Sequence, residues 1–440
     1  MPETIKEKSL VRTLAEFSLP LIASGILQQL YSWADAFIVG NIEGESALAA
    51  IGATNSLVRL FILAMTGFTS GISILSANLY GAKNEGAQRK LLATFLLVLG
   101  GVFTVLSVLG IFCTDSMLTL LQTPQDIFQI AGAYLQIILL GIPVMTVYNV
   151  YAAVLRSIGD SKAPFYSVMV SSIANIFLDL LLVGVFRWSV VGAAAATILS
   201  QIVMTVFIIL YTGKRYESLR INQGKDIVNR EILREGFFFS IPLTINSIIN
   251  SLGNVILQSF MNSFGSITVA AISTAYRVDS IIMLPVMNLG AGISTITSQN
   301  LGAGQKDRVK KGLYVGIGIM AVVAAFMTII VINFGGTLVA LFGIEEESVM
   351  VGKAFFRGLA MFYVLFSVSV AIRGYIQGIG DVNCTTIVGM SSLAVRIVMS
   401  YLLRPVLGNM VIAWAEVISW WYMFLMYSGR LLWLRKNSSL

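Results

Sequence analysis

Apolar residues recur along this chain in segments long enough to cross a lipid bilayer as helices. About 20 residues are needed for a helix to cross roughly 30 Å of hydrocarbon. Segments of this length lie near residues 15–39, 47–77, 91–112, 128–155, 165–187, 189–212, 236–263, 269–299, 313–341, 354–379, 385–407 and 409–433. The pattern predicts an all-α membrane protein with twelve transmembrane helices.

The composition agrees with this prediction. The 440 residues are 57% hydrophobic and 12% charged, whereas soluble domains are about 25% charged. The first apolar segment is too long and too polar for a signal peptide, so we expect it to remain in the mature protein. Histidine is absent, which excludes imidazole metal sites and histidine proton relays. Any protonation chemistry must therefore involve carboxylates.

Lysine and arginine are concentrated at one set of segment ends. These ends carry Lys6, Lys8 and Arg12; Lys83, Arg89 and Lys90; Arg156 and Lys162; the basic stretch 213–236; Lys306, Arg308, Lys310 and Lys311; and Arg430, Arg435 and Lys436. The positive-inside rule places these ends, and both termini, in the cytoplasm, for a protein of the cytoplasmic (inner) membrane. The net charge of +7 is thus a topology signal and does not indicate nucleic-acid binding. Cys113 and Cys384 fall near opposite faces, too far apart for a disulfide.

The chain contains an internal duplication. SGISILSANLYGAKNEGAQRK at 70–90 matches AGISTITSQNLGAGQKDRVKK at 291–311, so that Gly81 corresponds to Gly302, 221 residues later. The same offset carries the IGD motif at 158–160 onto 379–381, and SLPLI at 18–22 matches SIPLT at 240–244 with one residue of slippage.

Each copy holds six segments, so both copies enter the membrane from the same side and are related by a pseudo-two-fold axis along the membrane normal. We predict two six-helix lobes, 1–212 and 235–440, joined by a cytoplasmic linker at 213–234. Transporters of this kind bind substrate in a cavity between the lobes.

The two copies differ in their polar residues at membrane depth. Asp35, Asn175, Asp179 and Thr197 have Ile256 or Leu257, Arg396, Ser400 and Ile418 at the corresponding positions. A carboxylate facing lipid costs a few kcal/mol even on lenient insertion scales, so intramembrane acids are functional by default. The alternative is that the two aspartates are hydrogen-bonded packing residues with no transport role.

Helical spacing places these residues on shared faces. Gln28 and Asp35 are seven residues apart, Ser172, Asn175 and Asp179 follow at i, i+3 and i+7, and Thr197 and Gln201 at i, i+4. Burial and a neighbouring carboxylate both favour the protonated form of an acid. Two ionised carboxylates with the Asn175 and Thr197 oxygens would instead suit Na⁺. For Gln28, Ser172 and Gln201, hydrogen bonding between helices is an equally good interpretation.

The second copy carries a different set of charges, namely Arg277, Asp279, Arg396 and Glu416. Arg277 and Asp279 are two residues apart and cannot pair on one helix face, so each needs another partner. Arg396 and Glu416 lie on consecutive segments, and we predict a buried ion pair, because burying either charge alone would cost far more.

Several motifs give the chain a resemblance to a known family. They are LYSWADAFIVGNIEG, SANLYGAKNEGAQRK with its copy SQNLGAGQKDRVKK, AVLRSIGDSKAPF with its copy GYIQGIGDVNCTT, and NIFLDLLLV followed by GAAAATILSQ. The chain resembles the multidrug and toxic compound extrusion (MATE) family, and within it the DNA-damage-inducible F-type branch.

The resemblance implies a V-shaped pair of six-helix lobes that exports amphipathic, often cationic small molecules in exchange for H⁺ or Na⁺. It assigns ion coupling to Asp35, Tyr134, Asn175, Asp179 and Thr197. It assigns substrate contact to Gln28, Asn149 and Ser172, to which the shared face adds Gln201. We expect a monomer among membrane lipids, without a cofactor and without a metal other than Na⁺.

Two alternative functions are a lipid flippase and a membrane enzyme. A lipid-linked oligosaccharide flippase of the same superfamily could use Arg277, Arg357 and Arg396 to bind a diphosphate, but twelve segments and acids in the first lobe argue against it. A membrane enzyme acting on diphosphates would need acids clustered at the aqueous surface to hold Mg²⁺. The nearest cluster, Glu345–Glu347, reads as a solvated loop, so we expect a transporter and not an enzyme.

Overall fold

The computed structural model describes residues 9–221 and 228–437, and the regular elements in these ranges are all helices. The helices of the first repeat are α1 (Leu10–Glu43), α2 (Glu45–Gly81), α3 (Glu85–Phe112), α4 (Thr114–Leu120), α5 (Gln125–Ser157), α6 (Lys162–Asp179) and α7 (Ser189–Arg215). Those of the second are α8 (Arg230–Asn262), α9 (Ser266–Ile282), α10 (Leu284–Gly302), α11 (Lys306–Ala340), α12 (Glu346–Ala360), α13 (Tyr363–Gly378), α14 (Val382–Leu407) and α15 (Val411–Asn437). Lys6, Lys8 and residues 222–227 of the predicted linker lie outside the described ranges.

The all-helical membrane fold is confirmed. Within the described ranges nine helical segments are long and apolar enough to cross a membrane, or up to eleven if each of two bent helix pairs is one span. One of the nine, Val382–Asn437, comprises α14 and α15, which pack against each other and are separated at Gly408. The number of twelve spans stays a prediction.

Two predicted spans of the second repeat are bent. The axes of α9 and α10 differ by 42° and those of α12 and α13 by 52°. The first break precedes Pro285, which lies in the first turn of α10, where a missing N–H is tolerated. At the second break the Thr328 hydroxyl of α11 donates to the Ala360 carbonyl at 2.8 Å. A side chain thus satisfies a carbonyl that the interrupted helix leaves free.

The duplication is visible in the helix starts. α2 begins at Glu45 and α9 at Ser266, while α5 begins at Gln125 and α12 at Glu346. Both pairs show the offset of 221 residues found in the motifs. The repeats differ in that α2 and α5 are continuous, whereas their counterparts are the bent pairs. The two repeats therefore share the positions of their helix starts but differ in helix bending.

The residues form two compact units whose bounds differ from those of the predicted lobes. The N-terminal unit comprises Ala23–Thr244, and the C-terminal unit comprises Met1–Ile22 and Ile245–Leu440. The boundaries lie inside α1 and α8, in each case two residues after the proline within the helix, Pro20 or Pro242. Each long helix therefore contributes its first part to one unit and its remainder to the other.

Close helix packing at equivalent glycines explains this exchange. In the N-terminal unit, a Cβ on Gly71 would lie 2.5 Å from Ser240 Cα, and the Ser240 hydroxyl donates to the Phe68 carbonyl at 2.8 Å. In the C-terminal unit, a Cβ on the corresponding Gly292 would lie 3.1 Å from Ser18 Oγ. Small residues let helix backbones approach closely in membranes. The SxP motif that starts each repeat thus packs against a glycine of the other repeat.

The IGD motifs form the turns between helices in both repeats. Gly159 and Gly380 have φ of 91° and 95°, a left-handed conformation that glycine adopts without strain. The next residue accepts backbone N–H bonds from the following helix: Asp160 from Ala163 at 3.0 Å and Asp381 from Cys384 at 3.3 Å. Asp381 is the N-cap of α14, and Asp160, one residue before the N-cap of α6, accepts from the first turn in the same way. The repeated motif thus has a structural role.

Candidate functional site

The two aspartates that occur only in the first repeat come together inside the N-terminal unit. Asp35 lies on α1 and Asp179 is the last residue of α6, and their carboxyl groups lie close enough to influence each other electrostatically. Asp179 is completely buried. Oδ1 of Asp35 and both Asp179 oxygens are buried and accept no hydrogen bond from a described donor. Two ionised carboxylates have no proton to share, so this pair requires a proton or a cation.

The backbone changes its hydrogen-bonding register directly after Asp179. Leu180–Val185 form a π-helical turn, closed by the Phe186 N–H donating to the Leu181 carbonyl at 2.9 Å. Turns of this kind occur frequently at functional sites. We predicted one continuous span over 165–187, and nothing in its residues indicates the wider turn.

Two tyrosines accompany the acids. Tyr134 of α5 is buried and lies within electrostatic range of both carboxyl groups, while Tyr31 lies one helical turn before Asp35 and within its range. Tyr134 was expected at the site, but Tyr31 was not. Its i, i+4 spacing from Asp35 was the signal that could have found it. Tyr134 belongs to an apolar cluster that includes Val39, Ile51, Ile138, Val183, Val190, Ala193 and Ala194, so the acids stand in apolar surroundings.

The other two residues assigned to ion coupling lie on α6 and α7. Asn175 is one turn before Asp179 and only 2% exposed, and its amide N and O are buried without a hydrogen-bond partner among the described residues. Thr197 is half-buried, and its hydroxyl donates to the Ala193 carbonyl at 3.0 Å. The Thr197 oxygen therefore keeps its acceptor capacity. Its assignment to the ion site stays a prediction.

The four candidate substrate residues have different surroundings. Ser172 is buried and its hydroxyl has no hydrogen-bond partner among described groups. Gln201 is half-buried, and its Oε1 would be 3.1 Å from a Cβ on Gly141. Asn149 donates to the Met145 carbonyl at 2.8 Å and contacts Met65 Sδ at 3.1 Å. Gln28 is exposed. Their role in substrate binding stays a prediction.

The N-terminal unit therefore offers oxygen ligands without a bound partner. They are three carboxylate oxygens and an amide oxygen, all buried. Across the described ranges no group of three or more carboxylate, thiol or imidazole side chains is placed to hold a metal ion. Oxygen ligands of this type suit a proton or a small hard cation.

The C-terminal unit has a polar network of its own. Arg396 donates to Glu416 Oε2 at 3.0 Å and to the Tyr276 hydroxyl at 2.7 Å, and this hydroxyl donates to Glu416 at 2.9 Å. The charged side chains are 17% and 12% exposed. The predicted Arg396–Glu416 pair is confirmed, and Tyr276 satisfies both partners, as a buried ion pair requires.

The remaining charges of the second repeat are not part of that ion pair. Asp279 accepts a short hydrogen bond from the Tyr363 hydroxyl of α13, while Arg277 and Arg357 are exposed. Asp279 and Arg277 thus have separate surroundings, as their spacing predicted. Of the three arginines considered for a diphosphate site, Arg396 already donates to Glu416.

Both sequence repeats of this chain match a known protein family. The MatE family model matches residues 20–181 and again 242–402, one match on each repeat and together more than half of the chain. The chain belongs to the MATE family.

Relatives of this MATE protein cover nearly its full length. The probable multidrug resistance protein YoeA of Bacillus subtilis is 30% identical over 88% of this chain and 85% of YoeA. The multidrug export protein MepA of Staphylococcus saprophyticus is 24% identical over 94% of this chain and 92% of MepA.

Solved MATE structures show the same fold. One, described as the outward-facing conformation of a multidrug resistance MATE family transporter of the MOP superfamily, superposes with a TM-score of 0.90 at 22% identity, covering 98% of both chains. A MOP superfamily transporter from Pyrococcus furiosus, described as having a binding pocket of reverse polarity that suggests a different function, gives 0.89 at 21% identity over 98% of both chains.

Proposed function

We propose that this MATE protein is a secondary active multidrug efflux antiporter. It would export amphipathic compounds, in particular cationic ones, in exchange for H⁺ or Na⁺ by alternating access. The relatives named as multidrug resistance and export proteins support the export of drugs. The observation that carries ion coupling is the Asp35–Asp179 pair, three of whose carboxylate oxygens are buried and accept no hydrogen bond from a described donor.

The charge of this pair supplies a physical basis for exchange. Without a bound ion the two carboxylates leave negative charge in apolar surroundings, which favours binding of a cationic substrate. A proton or Na⁺ at the pair neutralises part of that charge and satisfies the unpartnered oxygens. Ion and substrate then compete for the same charge, and the ion favours the conformation in which its ligands converge. Competition combined with a conformational preference couples the two fluxes.

The test is dye efflux from proteoliposomes under separately imposed H⁺ and Na⁺ gradients. We expect the wild-type protein to respond to one of the gradients and Asp35→Asn to lose the response, because the amide cannot take up a proton or carry a charge. Asp126→Asn is the matched control, since Asp126 is exposed at the start of α5. Full gradient-driven efflux by Asp35→Asn, with a melting temperature equal to that of the control, would refute the proposal.

The solved structure with a pocket of reverse polarity means that the fold alone does not decide the substrate. Binding of cationic dyes or of polyprenyl diphosphates to the purified protein distinguishes an exporter from the flippase alternative. We expect dye binding that Asp179→Asn weakens. Tight diphosphate binding that Arg277→Gln abolishes would favour the flippase.

The proposal also includes location and topology. We place the protein in the cytoplasmic membrane as a monomer of the F-type branch, with both termini in the cytoplasm. Cys113 is a free, exposed thiol at the end of α3, opposite the basic ends. A membrane-impermeant maleimide should therefore label it on intact cells, and Cys113→Ser should remove the label. Labelling only after cell lysis would indicate the opposite topology, with Cys113 on the cytoplasmic side.

A further inference from the structure

A cavity of about 300 Å³ lies in the C-terminal unit, and its lining does not include Arg396, Glu416 or Tyr276. It is lined by Lys310, Leu313, Tyr314, Tyr375 and Arg435. α11 begins at Lys306, α13 ends at Gly378 and α15 ends at Asn437. The lining residues therefore lie within about two turns of three helix ends that meet on the cation-rich side of the protein.

The lining is positively charged and supplies hydroxyl groups. Lys310, Leu313 and Tyr314 share one face of α11 at i, i+3 and i+4. Arg435 donates to the Tyr314 hydroxyl at 2.7 Å, with its guanidinium carbon 5.3 Å from the centre of the Tyr314 ring. These contacts hold Arg435 at the cavity, and no carboxylate from the described ranges lines it. The two cations are therefore not neutralised within the cavity.

Comparison of the repeats shows that the tyrosines are specific to this site. The positions corresponding to Lys310 and Arg435 are also basic, Arg89 and Lys214, which follows from membrane topology. The positions corresponding to Tyr314 and Tyr375 are Ala93 and Val154, both buried. The first repeat thus has the positive charges at these positions without the tyrosine hydroxyls.

We propose that this cavity binds the phosphate of an anionic membrane phospholipid. Basic pockets between helices on the cytoplasmic side suit such headgroups, and the combined donors of Lys310, Arg435 and the tyrosine hydroxyls suit phosphate oxygens. Tyr314 of the cavity is 58% exposed, and Leu432, one turn before Arg435 on α15, is 64% exposed. Side chains of this kind are typical of the membrane interface, which favours a lipid phosphate over a free one.

The test measures phosphatidylglycerol retention by native mass spectrometry, with phosphatidylcholine as the neutral reference. Lys310→Gln/Arg435→Gln removes both charges and should weaken retention by roughly 25-fold, at about fivefold for each cation near the membrane surface. Lys311→Gln/Lys436→Gln is the matched control, since it removes two exposed neighbouring charges that do not line the cavity. Tyr314→Phe/Tyr375→Phe should weaken retention by about fivefold, because it removes two hydrogen-bonding groups.

Each outcome decides the assignment. Loss of phosphatidylglycerol retention in Lys310→Gln/Arg435→Gln but not in the control, with equal melting temperatures of the two variants, supports the lipid site. Equal losses of phosphatidylglycerol retention in Lys310→Gln/Arg435→Gln and Lys311→Gln/Lys436→Gln would show general attraction to a basic surface and overturn the assignment. Displacement of phosphatidylglycerol by millimolar inorganic phosphate would assign the cavity to a soluble anion and overturn the lipid assignment.

Discussion

Arg396 occupies in the second repeat the position that Asn175 occupies in the first, 221 residues earlier. In the C-terminal unit its guanidinium pairs with Glu416 at 3.0 Å. In the N-terminal unit the Asn175 amide has no hydrogen-bond partner among the described groups, and neither do the Asp179 oxygens one turn later. Arg396 thus places a covalently attached cation beside Glu416, whereas Asp35 and Asp179 of the N-terminal unit have no such cation in the part of the chain that the structure describes. This difference explains why we assign ion exchange to the N-terminal unit alone.

Replacing Asp179 should separate stability from function. Asp179→Asn removes a fully buried ionisable group that accepts no hydrogen bond from a described donor. The variant should therefore be at least as stable as the wild type, or less stable by at most about 1 kcal/mol in free energy of unfolding. Gradient-driven efflux should fall about tenfold or more, because the carboxylate that would bind the coupling ion is gone. Thermal melting in detergent and proteoliposome efflux measure the two effects. A large loss of stability with proportionate loss of efflux would indicate a packing role instead.

Breaking the ion pair of the C-terminal unit, in contrast to replacing Asp179, should lower stability. Arg396→Leu leaves Glu416 buried without its cation, which should cost about 3–5 kcal/mol. Removing both charges, in Arg396→Leu/Glu416→Leu, should recover most of this loss, because replacing a buried pair with apolar residues is often neutral. Melting temperatures of the single and double variants test this. A double variant no more stable than Arg396→Leu would mean that the pair does not act as a unit.

Much of the fold follows from periodicity and self-similarity. Apolar length predicts the helices, and the 221-residue offset predicts that their starts repeat, as Glu45 and Ser266 show. The pairing of Arg396 with Glu416 was predictable because an unpaired charge in a membrane is costly. These predictions use only local spacing and the energetics of burial.

Other features depend on contacts between distant parts of the chain. The break before Tyr363 has no proline, and it is accompanied by a hydrogen bond from Thr328, 32 residues from Ala360. The unit boundaries depend on which helix packs against Gly71 and Gly292. Tyr31 was missed at the site because a tyrosine in an apolar segment resembles packing until its neighbour is known to be an acid.

The close approach at Gly71 should be sensitive to one methyl group. Gly71→Ala places a Cβ 2.5 Å from the Ser240 backbone, and such overpacking should cost about 1–3 kcal/mol. Gly100→Ala is the matched control, since a Cβ there has no atom within 4 Å and alanine favours a helix. Thermal melting of the two variants makes the comparison. Equal stability of Gly71→Ala and Gly100→Ala would contradict this packing.

Transferring the attached cation to the first repeat is the most direct test of the asymmetry. Asn175→Arg places a guanidinium one turn from Asp179, where it can take the place of the exchanged ion, as Arg396 does beside Glu416. Since the acids then have a permanent partner, the protein should fold, and gradient-driven efflux should fall about tenfold or more. Asn175→Gln, which keeps the amide, should retain transport within about threefold, because it changes no charge. Efflux by Asn175→Arg at the wild-type rate would show that a fixed cation at this position does not replace the exchanged ion.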